Sequence, residues 1–549
     1  MGTMARFGFL AGLGVIFGFP LVALFSQHLA RGSFQLVWAD PAPFGRLLIN
    51  TLVLIAIVVG FAVPCGTACA FLASRRPIRG QRWLATGVLA ALFVPLPVWA
   101  VSWQIIFGEW LPPLTLEPGE TAWRPWRLGM LPAAWIHAVA ALPWVIAIVW
   151  LVLRTAEPAL EDEARQTGGP RGLFRWVIAP RMAWGVALAS AVVGLQAGTE
   201  ISVTDAMMVR TFAEEVYTQM VVRSSGLGPA IAATVPVWLG AALLAGAIAR
   251  MSLRRFGTSS IGIAFVPSAP VGQSRFATVF AWSAFAVYLG LPVGALVWKA
   301  SGGGMSAGPS FGEFGLRIEK VARTEWLTLL DSSVAAATAG LLTASLAWVA
   351  CAFGFDSARY RAALVALCLA LIALPAPIVG FALKQATVEL VGAEQSLLRR
   401  LDFRPDFPPL RSLLYDQPSP LPGIWASTLR FFPLACAMMA VAMRRIPKSL
   451  LETAAVEGGN SYARWRWVVA PLTARPFVLV ALAIAALALG EVGAGKLAQT
   501  PARGVFILRL FDQMHYGAES TVAAFCLLQL AATWGILSVL VGLRPERTP

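Results

Sequence analysis

The chain has 549 residues, of which 58% are hydrophobic and only 13% carry a charged side chain. Soluble domains contain roughly 25% charged residues, so this composition excludes an ordinary soluble protein. The net charge of +15 would favour a nucleic-acid binder in a soluble chain. Here the basic residues cluster in short loops between apolar segments, and we predict no nucleic-acid partner.

Twelve apolar segments are long enough to cross a bilayer, whose hydrocarbon core of about 30 Å needs roughly 20 residues of helix. The first segment follows Arg6 and is predicted to be an uncleaved helix, because no small-residue cleavage site follows it. In chain order the predicted crossings cover residues 6–26, 47–73, 83–108, 132–154, 182–207, 226–249, 276–298, 327–353, 362–386, 423–443, 474–495 and 519–542. The sequence therefore predicts an all-α polytopic membrane protein.

The short loops between these segments give an orientation. Residues 74–82 contain four arginines and no acidic residue, so we place this loop in the cytoplasm. Counting crossings then places four more arginine-rich loops on the same side, namely 154–181, 250–275, 355–361 and 444–475. Both termini are then cytoplasmic, and the expected location is the inner (plasma) membrane of a bacterium.

The first six and last six segments share residues at a nearly constant offset. Glu200 recurs as Glu491, and the stretch Arg175-Trp-Val-Ile-Ala-Pro180 recurs as Arg466-Trp-Val-Val-Ala-Pro471, both 291 positions later. Proline pairs match at similar offsets: Pro143 with Pro433, Pro95 with Pro375, and Pro97 with Pro377. An even number of crossings per unit makes the repeats parallel. We predict a first unit over 1–250, a cytoplasmic linker over 251–275 and a second unit over 276–549.

The loops after the fourth and tenth segments contain the most specific pattern. The first runs through Glu163, Ala164, Gly168 and Pro180, and the second through Glu452, Ala454, Gly458 and Pro471. Each predicts a short acidic helix stopped by a pair of glycines, an amphipathic helix with Arg and Trp, and a proline that begins the next crossing. Glycine permits a positive φ at such a bend, and proline is well suited to a first helical turn.

This pattern resembles the EAA loop in permeases of binding-protein-dependent ABC importers, which reads E-A-A, three residues, Gly, nine residues and I-x-L-P. The second loop keeps the spacing from Glu452 to Gly458 to Pro471. The first is one position shorter between Gly168 and Pro180, and Glu163 stands where alanine is expected. Two such loops in one chain resemble the fused permeases of ferric-iron and thiamine importers.

The resemblance implies the type I importer permease fold, in which the two loops form coupling helices that dock on a dimer of cytoplasmic ABC ATPases. It also implies a periplasmic binding protein that delivers a small solute. Ferric iron is the first expectation for that solute, and thiamine or another small solute is the alternative. ATP hydrolysis is expected on a separate chain, so this chain is not expected to be an enzyme.

Glu200 and Glu491 lie near the outer ends of equivalent segments. An acid at membrane depth favours a functional role, here lining the pathway, and a solvated helix end is the alternative. A proton-coupled secondary transporter is the main rival, but it should show several mid-helix carboxylates or arginines. A membrane enzyme would need a convergent cluster of His, Asp or Ser. The three histidines and six cysteines are scattered, so we predict no metal site, no cofactor and no catalytic residue.

Overall fold

The computed structural model describes residues 3–29, 42–75, 78–111, 125–154, 158–222, 228–256, 275–304, 308–354, 357–403, 405, 408–458, 460–500, 503–516 and 519–542. Every regular element within these ranges is helical. Among the described residues, nine helices are long and apolar enough to cross a membrane, and up to eleven if two bent pairs each count as one crossing. The prediction of an all-α polytopic membrane protein is confirmed.

The helices of the described ranges are numbered here in chain order. They are α1 Thr3–Leu29, α2 Ala42–Arg75, α3 Gln81–Leu92, α4 Leu96–Ile105, α5 Met130–Leu153, α6 Pro158–Leu173, α7 Ala179–Thr199, α8 Ser202–Ala206, α9 Phe212–Val222, α10 Gly228–Phe256, α11 Arg275–Phe285, α12 Leu291–Ala300, α13 Phe311–Phe353, α14 Ala358–Ile372, α15 Ala376–Arg400, α16 Pro409–Arg411, α17 Leu421–Arg444, α18 Lys448–Val456, α19 Ser461–Arg464, α20 Ala470–Leu489, α21 Gly495–Ala498, α22 Phe506–Met514 and α23 Ser520–Gly542. Five-residue π-helical turns lie at Ile106–Trp110, Phe174–Ile178, Ala286–Gly290, Ser412–Asp416 and Trp465–Val469.

Two of the predicted crossings are sharply bent helix pairs. Helices α3 and α4 meet at 98° and helices α14 and α15 at 100°. Pro95 and Pro375 precede the second helix of each pair, with extended backbone angles near φ −60° and ψ 140°. Proline removes a backbone donor and disfavours helical angles in the residue before it, which explains why each helix breaks at this point.

The described residues of the predicted crossing at 226–249 lie in α10, whose apolar portion, Ile231–Ala247, is shorter than the other spans. Helix α10 continues to Phe256, so the first residues of the predicted linker are helical. Arg275, the last residue of that linker, begins α11. Residues 257–274 of the linker lie outside the described part of the chain.

Two large hydrophobic cores organise the bundle, and each combines helices from both sequence halves. The first core contains central helices of the first half, including α2, α4 and α5, together with α12, α22 and α23 of the second half. The second contains α13, α14, α15, α17 and α20 together with α1, α9 and α10 of the first half. The first and last helices of each half therefore pack against central helices of the other half.

Aromatic side chains make these exchanged contacts. The ring of Phe17 on α1 lies 4.9 Å from that of Phe432 on α17. In the other direction, the Tyr288 ring between α11 and α12 lies 5.4 Å from Trp99 on α4. The Tyr288 hydroxyl donates a hydrogen bond of 3.2 Å to the carbonyl of Val139 on α5. The exchange is thus fixed by both apolar packing and a polar contact.

We expect that neither half forms a stable unit alone, because each core loses at least three of its helices when the chain is divided between residues 256 and 257. Each half expressed separately should be degraded or aggregate in detergent, whereas the two halves expressed together should co-purify as one species. Size-exclusion chromatography of the halves, with the intact chain as control, makes this measurement. A monodisperse, protease-resistant single half would contradict the expectation.

Candidate functional site

The second of the two glycine-containing loops has the predicted bend. Helix α18 carries Glu452 and Ala454 and ends before Gly458, whose φ is +80°. Non-glycine residues avoid this left-handed region, so glycine is the residue best suited to this reversal. Asn460 then starts α19 by accepting a hydrogen bond of 2.8 Å on its side-chain oxygen from the amide of Ala463. The predicted helix, bend and second helix are therefore all present.

The first loop bends one residue later than the pattern suggests. Within α6, which carries Glu163 and Ala164, the non-helical residue is Gly169, with φ +60°, and not Gly168. Gly168 has another steric reason to be glycine, because a Cβ there would lie 2.6 Å from the ring of Trp176. The bend of this loop is therefore assigned to Gly169, and Gly168 makes room for the tryptophan.

The two loops share the structure that follows the bend. A π-helical turn covers Phe174–Ile178 in the first loop and Trp465–Val469 in the second, at an offset of 291 residues. Pro180 and Pro471 then occupy the first turn of α7 and α20 as predicted. A π turn widens the helix by one residue and often occurs at functional positions. The repeated local geometry shows that the match between the loops extends beyond their sequence.

Both loops present acidic and apolar side chains to the surface. Glu163 and Glu452 are exposed, Ala164 is buried and Ala454 is half-buried. Val456 and Trp467 of the second loop are 87% and 73% exposed. Large apolar side chains are therefore exposed close to acidic ones in the second loop.

These loops and the predicted pathway carboxylates lie at opposite ends of the helical bundle. The guanidinium of Arg75, at the last residue of α2, donates two hydrogen bonds of 2.8 and 2.9 Å to Glu161 in the first loop. Near the other end of α2, the Thr51 side chain lies next to Gly198, two residues before Glu200. The helix rises 1.5 Å per residue, so these two contacts are separated by about 36 Å along α2.

Glu200 is buried, with 9% of its surface exposed, at the end of α7. Its carboxylate accepts hydrogen bonds from the amides of Ser202 and Val203, at 2.7 and 3.1 Å, and from the Ser202 hydroxyl. These amides are the unsatisfied donors at the start of α8, so Glu200 caps that short helix. The ring of His137 lies 3.8 Å away. Glu200 is therefore not a solvated helix end.

Glu491 has a related role and an additional partner. It accepts a hydrogen bond of 2.9 Å from the amide of Ala494, at the start of α21. Its other oxygen accepts one of 2.9 Å from Nε of Arg430, which lies within the membrane-spanning helix α17. The two carboxylates thus share a capping function, but only Glu491 forms an ion pair with an arginine among the described residues.

The segment that contains Glu491 lies at the junction of the two halves. A Cβ at Gly490 would lie 2.9 Å from Cγ of Pro95, the proline at the bend between α3 and α4. A Cβ at Gly493 would lie 3.8 Å from Ile201, the residue after Glu200. Small residues therefore permit a close approach of the two halves at this level. The structure brings the regions of Glu200 and Glu491 together, as a shared pathway would require.

No protein-family model and no curated protein matches this sequence.

A small cavity of about 50 Å³ lies beside Glu491. Ser427, Gln499 and Arg503 line it, and the side-chain oxygen of Gln499 has no hydrogen-bond partner. This volume is large enough for a few water molecules in this conformation. Across the described ranges, no group of three or more His, Cys, Asp or Glu side chains is arranged to hold a metal ion.

One pair of hydrogen bonds was not predicted from the sequence. The Thr51 hydroxyl on α2 accepts from the Phe212 amide at 2.9 Å, and the Ser332 hydroxyl on α13 accepts from the Phe506 amide at 3.0 Å. Phe212 and Phe506 are the first residues of α9 and α22. A single hydroxyl in an apolar segment gives no signal of this role, because its partner lies more than 160 positions away in the chain.

Sequence reasoning also missed Arg430. This residue interrupts an otherwise apolar run, and that interruption was the available signal. The comparison of the repeats could not reveal it, because Ala140 occupies the position that corresponds to it at the offset of Pro143 and Pro433.

At the same end of the bundle, His515 joins the two halves. Its Nε2 lies 2.9 Å from a carboxylate oxygen of Asp205, and its Nδ1 lies 2.9 Å from the carbonyl of Phe511. The hydrogen bond with Asp205 raises the pKa of His515 above its usual value, and partial burial opposes this shift. Asp512 adds a further favourable charge. Both nitrogens can donate only when the ring is protonated.

The contact between His515 and Asp205 should therefore weaken as the pH rises. A raised pKa in the folded state means that the stabilisation is fully present below the unfolded value of about 6.5 and is lost as the pH passes through the higher folded value. The stability difference between the wild type and His515→Gln, measured by thermal unfolding, should shrink between about pH 6 and pH 8. The stability difference between the wild type and Asp205→Asn should shrink over the same pH range. A stability difference that does not change with pH would contradict this assignment.

Proposed function

We propose that this chain is the permease subunit of an ATP-binding-cassette importer, built from about twelve crossings in two parallel six-helix repeats of the type I permease fold. The observation that carries the proposal is the pair of exposed loops, each with an acidic helix, a glycine bend, a π-helical turn and a proline at the start of the next helix. These loops are expected to be the coupling helices that dock on two cytoplasmic ATPase subunits.

Several repeated features support the two-repeat architecture. The bent pairs differ by only 2° in angle, and the π-helical turns recur at one offset. The carboxylates of Glu200 and Glu491 each cap the helix that follows. The Thr51 hydroxyl accepts a hydrogen bond from the first amide of α9, and the Ser332 hydroxyl accepts one from the first amide of α22. The capping residue is glutamate in both copies and the hydroxyl residue changes from threonine to serine, as expected from two copies of one unit that have diverged.

The proposed mechanism is alternating access, with no chemical step in this chain. ATP binding brings the two ATPase subunits together and moves both loops. Because the loops are attached to the helices that end at Glu200 and Glu491, this motion separates the halves at their junction about 36 Å away. The passage then opens toward a periplasmic binding protein at that end of the bundle, and the chain acts within the bacterial inner membrane.

The coupling role is tested with two glycine substitutions. Gly458→Ala places a Cβ in a left-handed conformation, at a cost of about 1 kcal/mol, whereas Gly392→Ala changes an equally open helical position without positive φ. The full-length chain should be purified with its ATPase, and ATP hydrolysis measured in the complex. We expect reduced hydrolysis or reduced ATPase retention for Gly458→Ala and for Glu452→Lys, and an unchanged complex for Gly392→Ala.

Transport that persists without any ATPase would contradict this proposal. A proton-coupled secondary transporter is the second candidate, favoured by the buried pair of His137 and Glu200, which lie 3.8 Å apart. Ionisable pairs at membrane depth are typical of proton relays. Uptake abolished by a protonophore but insensitive to ATP depletion would select this candidate. Uptake that is abolished by ATP depletion but insensitive to a protonophore would select the importer.

The solute is proposed from the resemblance, with ferric iron first and thiamine or another small solute as the alternative. Uptake of labelled ferric iron and of labelled thiamine should be measured in cells with and without this chain, with its partner proteins present. Loss of iron uptake alone would assign iron. Unchanged iron uptake would remove iron from the proposal and direct attention to thiamine.

A further inference from the structure

Arg430 is an unusual residue for its position. It is the tenth residue of α17, a helix that spans the membrane, and 21% of its side chain is exposed. An arginine within a membrane-spanning helix is energetically costly and is normally associated with a specific function. The hydrogen bond from its Nε to Glu491 supplies a counter-ion and fixes the orientation of the guanidinium.

Most donors of this guanidinium have no acceptor among the described residues. Arginine has five N–H donors, and Glu491 engages one of these through Nε. No nitrogen of Arg430 is both fully buried and without a hydrogen-bond partner. Its Nη groups, which have no partner among the described residues, are therefore in contact with accessible space. By contrast, Arg503 directs both Nε and Nη2 to Asp331, at 3.1 and 2.8 Å. Both Nη groups of Arg430 are therefore without an acceptor in the described part of the chain, whereas one Nη group of Arg503 is held by Asp331.

The nearby carboxylate of the first half does not occupy this fork. Glu200 lies close enough to Arg430 to interact with it electrostatically. Its oxygens instead accept hydrogen bonds from Ser202 and Val203. The first half has Ala140 at the position equivalent to Arg430. The arginine at this position of the repeat therefore belongs to one half only, and its Nη groups have no acceptor among the described residues.

We propose that Arg430 determines the specificity of the passage and that its Nη groups bind the oxyanion group, a carboxylate or phosphate, of the transported solute. The planar fork of arginine matches two oxygens of such a group. Ser427 lies one helical turn earlier on α17, on the wall of the cavity beside Glu491, and contributes a hydroxyl donor. Glu491 acts as a positioning residue, because it holds Nε and leaves the Nη groups directed elsewhere.

This inference rests on the proposed function and narrows the class of solute. A ferric ion carried with an oxyanion ligand has the required group, whereas free thiamine, which is a cation, does not. The same phosphate chemistry is present in lipid headgroups, so the test must separate a dissolved anion from a lipid.

The test uses the full-length chain in nanodiscs of phosphatidylcholine and measures the binding of inorganic phosphate by calorimetry. Arg430→Gln should lower the affinity by about tenfold or more, since it removes a charge-assisted bidentate contact. Arg430→Lys keeps the charge but not the planar pair of donors, so its phosphate affinity should lie between those of the wild type and Arg430→Gln. Arg323→Gln is the control, because Arg323 is 80% exposed and pairs with Glu319 on the same helix. This variant should bind phosphate like the wild type.

Equal phosphate affinity in the wild type and Arg430→Gln, or no binding to either, would overturn the inference. A loss of thermal stability in Arg430→Gln without a change in affinity would assign Arg430 a structural role and overturn it as well. In a second arm, nanodiscs with phosphatidylglycerol are used. If phosphatidylglycerol abolishes phosphate binding, and does so only in chains that retain Arg430, then the ligand of Arg430 is a lipid headgroup. This outcome would overturn the proposal that Arg430 binds the transported solute. ATP hydrolysis is not part of this measurement, so its outcome is separate from that of the coupling test.

Discussion

Gly340→Val is expected to separate α13 from α20 and to lower the stability of the chain by about 3 kcal/mol, the upper end of the usual cost of overpacking a core. A Cβ at Gly340 would lie 2.3 Å from the carbonyl oxygen of Ala481 and 2.8 Å from the amide nitrogen of Ala485. Both are backbone atoms, so relief requires movement of a whole helix. Small residues at such contacts allow membrane helices to approach closely.

Gly315→Val on the same helix is the matched control. A Cβ at Gly315 would meet no atom within 4 Å, so this substitution should change the stability by no more than about 0.5 kcal/mol. Thermal unfolding of the two purified variants in one detergent gives the comparison. Similar unfolding temperatures would show that α13 and α20 adapt to the extra volume and would contradict the expectation.

Glu491→Leu is expected to abolish transport and to destabilise the chain by about 2 kcal/mol. The substitution leaves Arg430 without its counter-ion at membrane depth, which in a fully buried pair costs about 3–5 kcal/mol. The partial exposure of the two side chains, 10% for Glu491 and 21% for Arg430, reduces this cost. The double variant Glu491→Leu, Arg430→Leu should regain part of the stability, because no unpaired charge remains but the cap on the Ala494 amide is still missing, and it should not regain transport.

The exposed pair of Glu319 and Arg323 on α13 is the control for this double-mutant cycle. Its side chains are 51% and 80% exposed, and exposed pairs one turn apart contribute only about 0.3–0.5 kcal/mol. The coupling energy measured by thermal unfolding should therefore be several times larger for Glu491 and Arg430. A double variant no more stable than Glu491→Leu alone would show that the pair does not stabilise the junction.

The sequence by itself determined the helical elements and the local geometry of the loops. A helix in lipid satisfies its backbone hydrogen bonds within itself, so hydropathy locates most of the crossings, although the apolar part of α10 is shorter than the other spans. The bends at Pro95 and Pro375 and the positive φ at Gly458 are also local, since they depend on the backbone freedom of one residue. The pair Gly168 and Gly169 was not determined in this way, because either glycine can bend, and in the structure Gly169 has the positive φ while Gly168 lies against the ring of Trp176.

Only the tertiary structure decided how the helices combine and which polar groups meet. Hydropathy makes every crossing apolar on most faces, so it does not say that α1 packs in the core of the second half or α12 in that of the first. The contacts of Arg430 with Glu491 and of His515 with Asp205 join residues 61 and 310 positions apart. One sequence contains no signal for such partners, because the energy of an ion pair depends on distance and burial after the helices have packed.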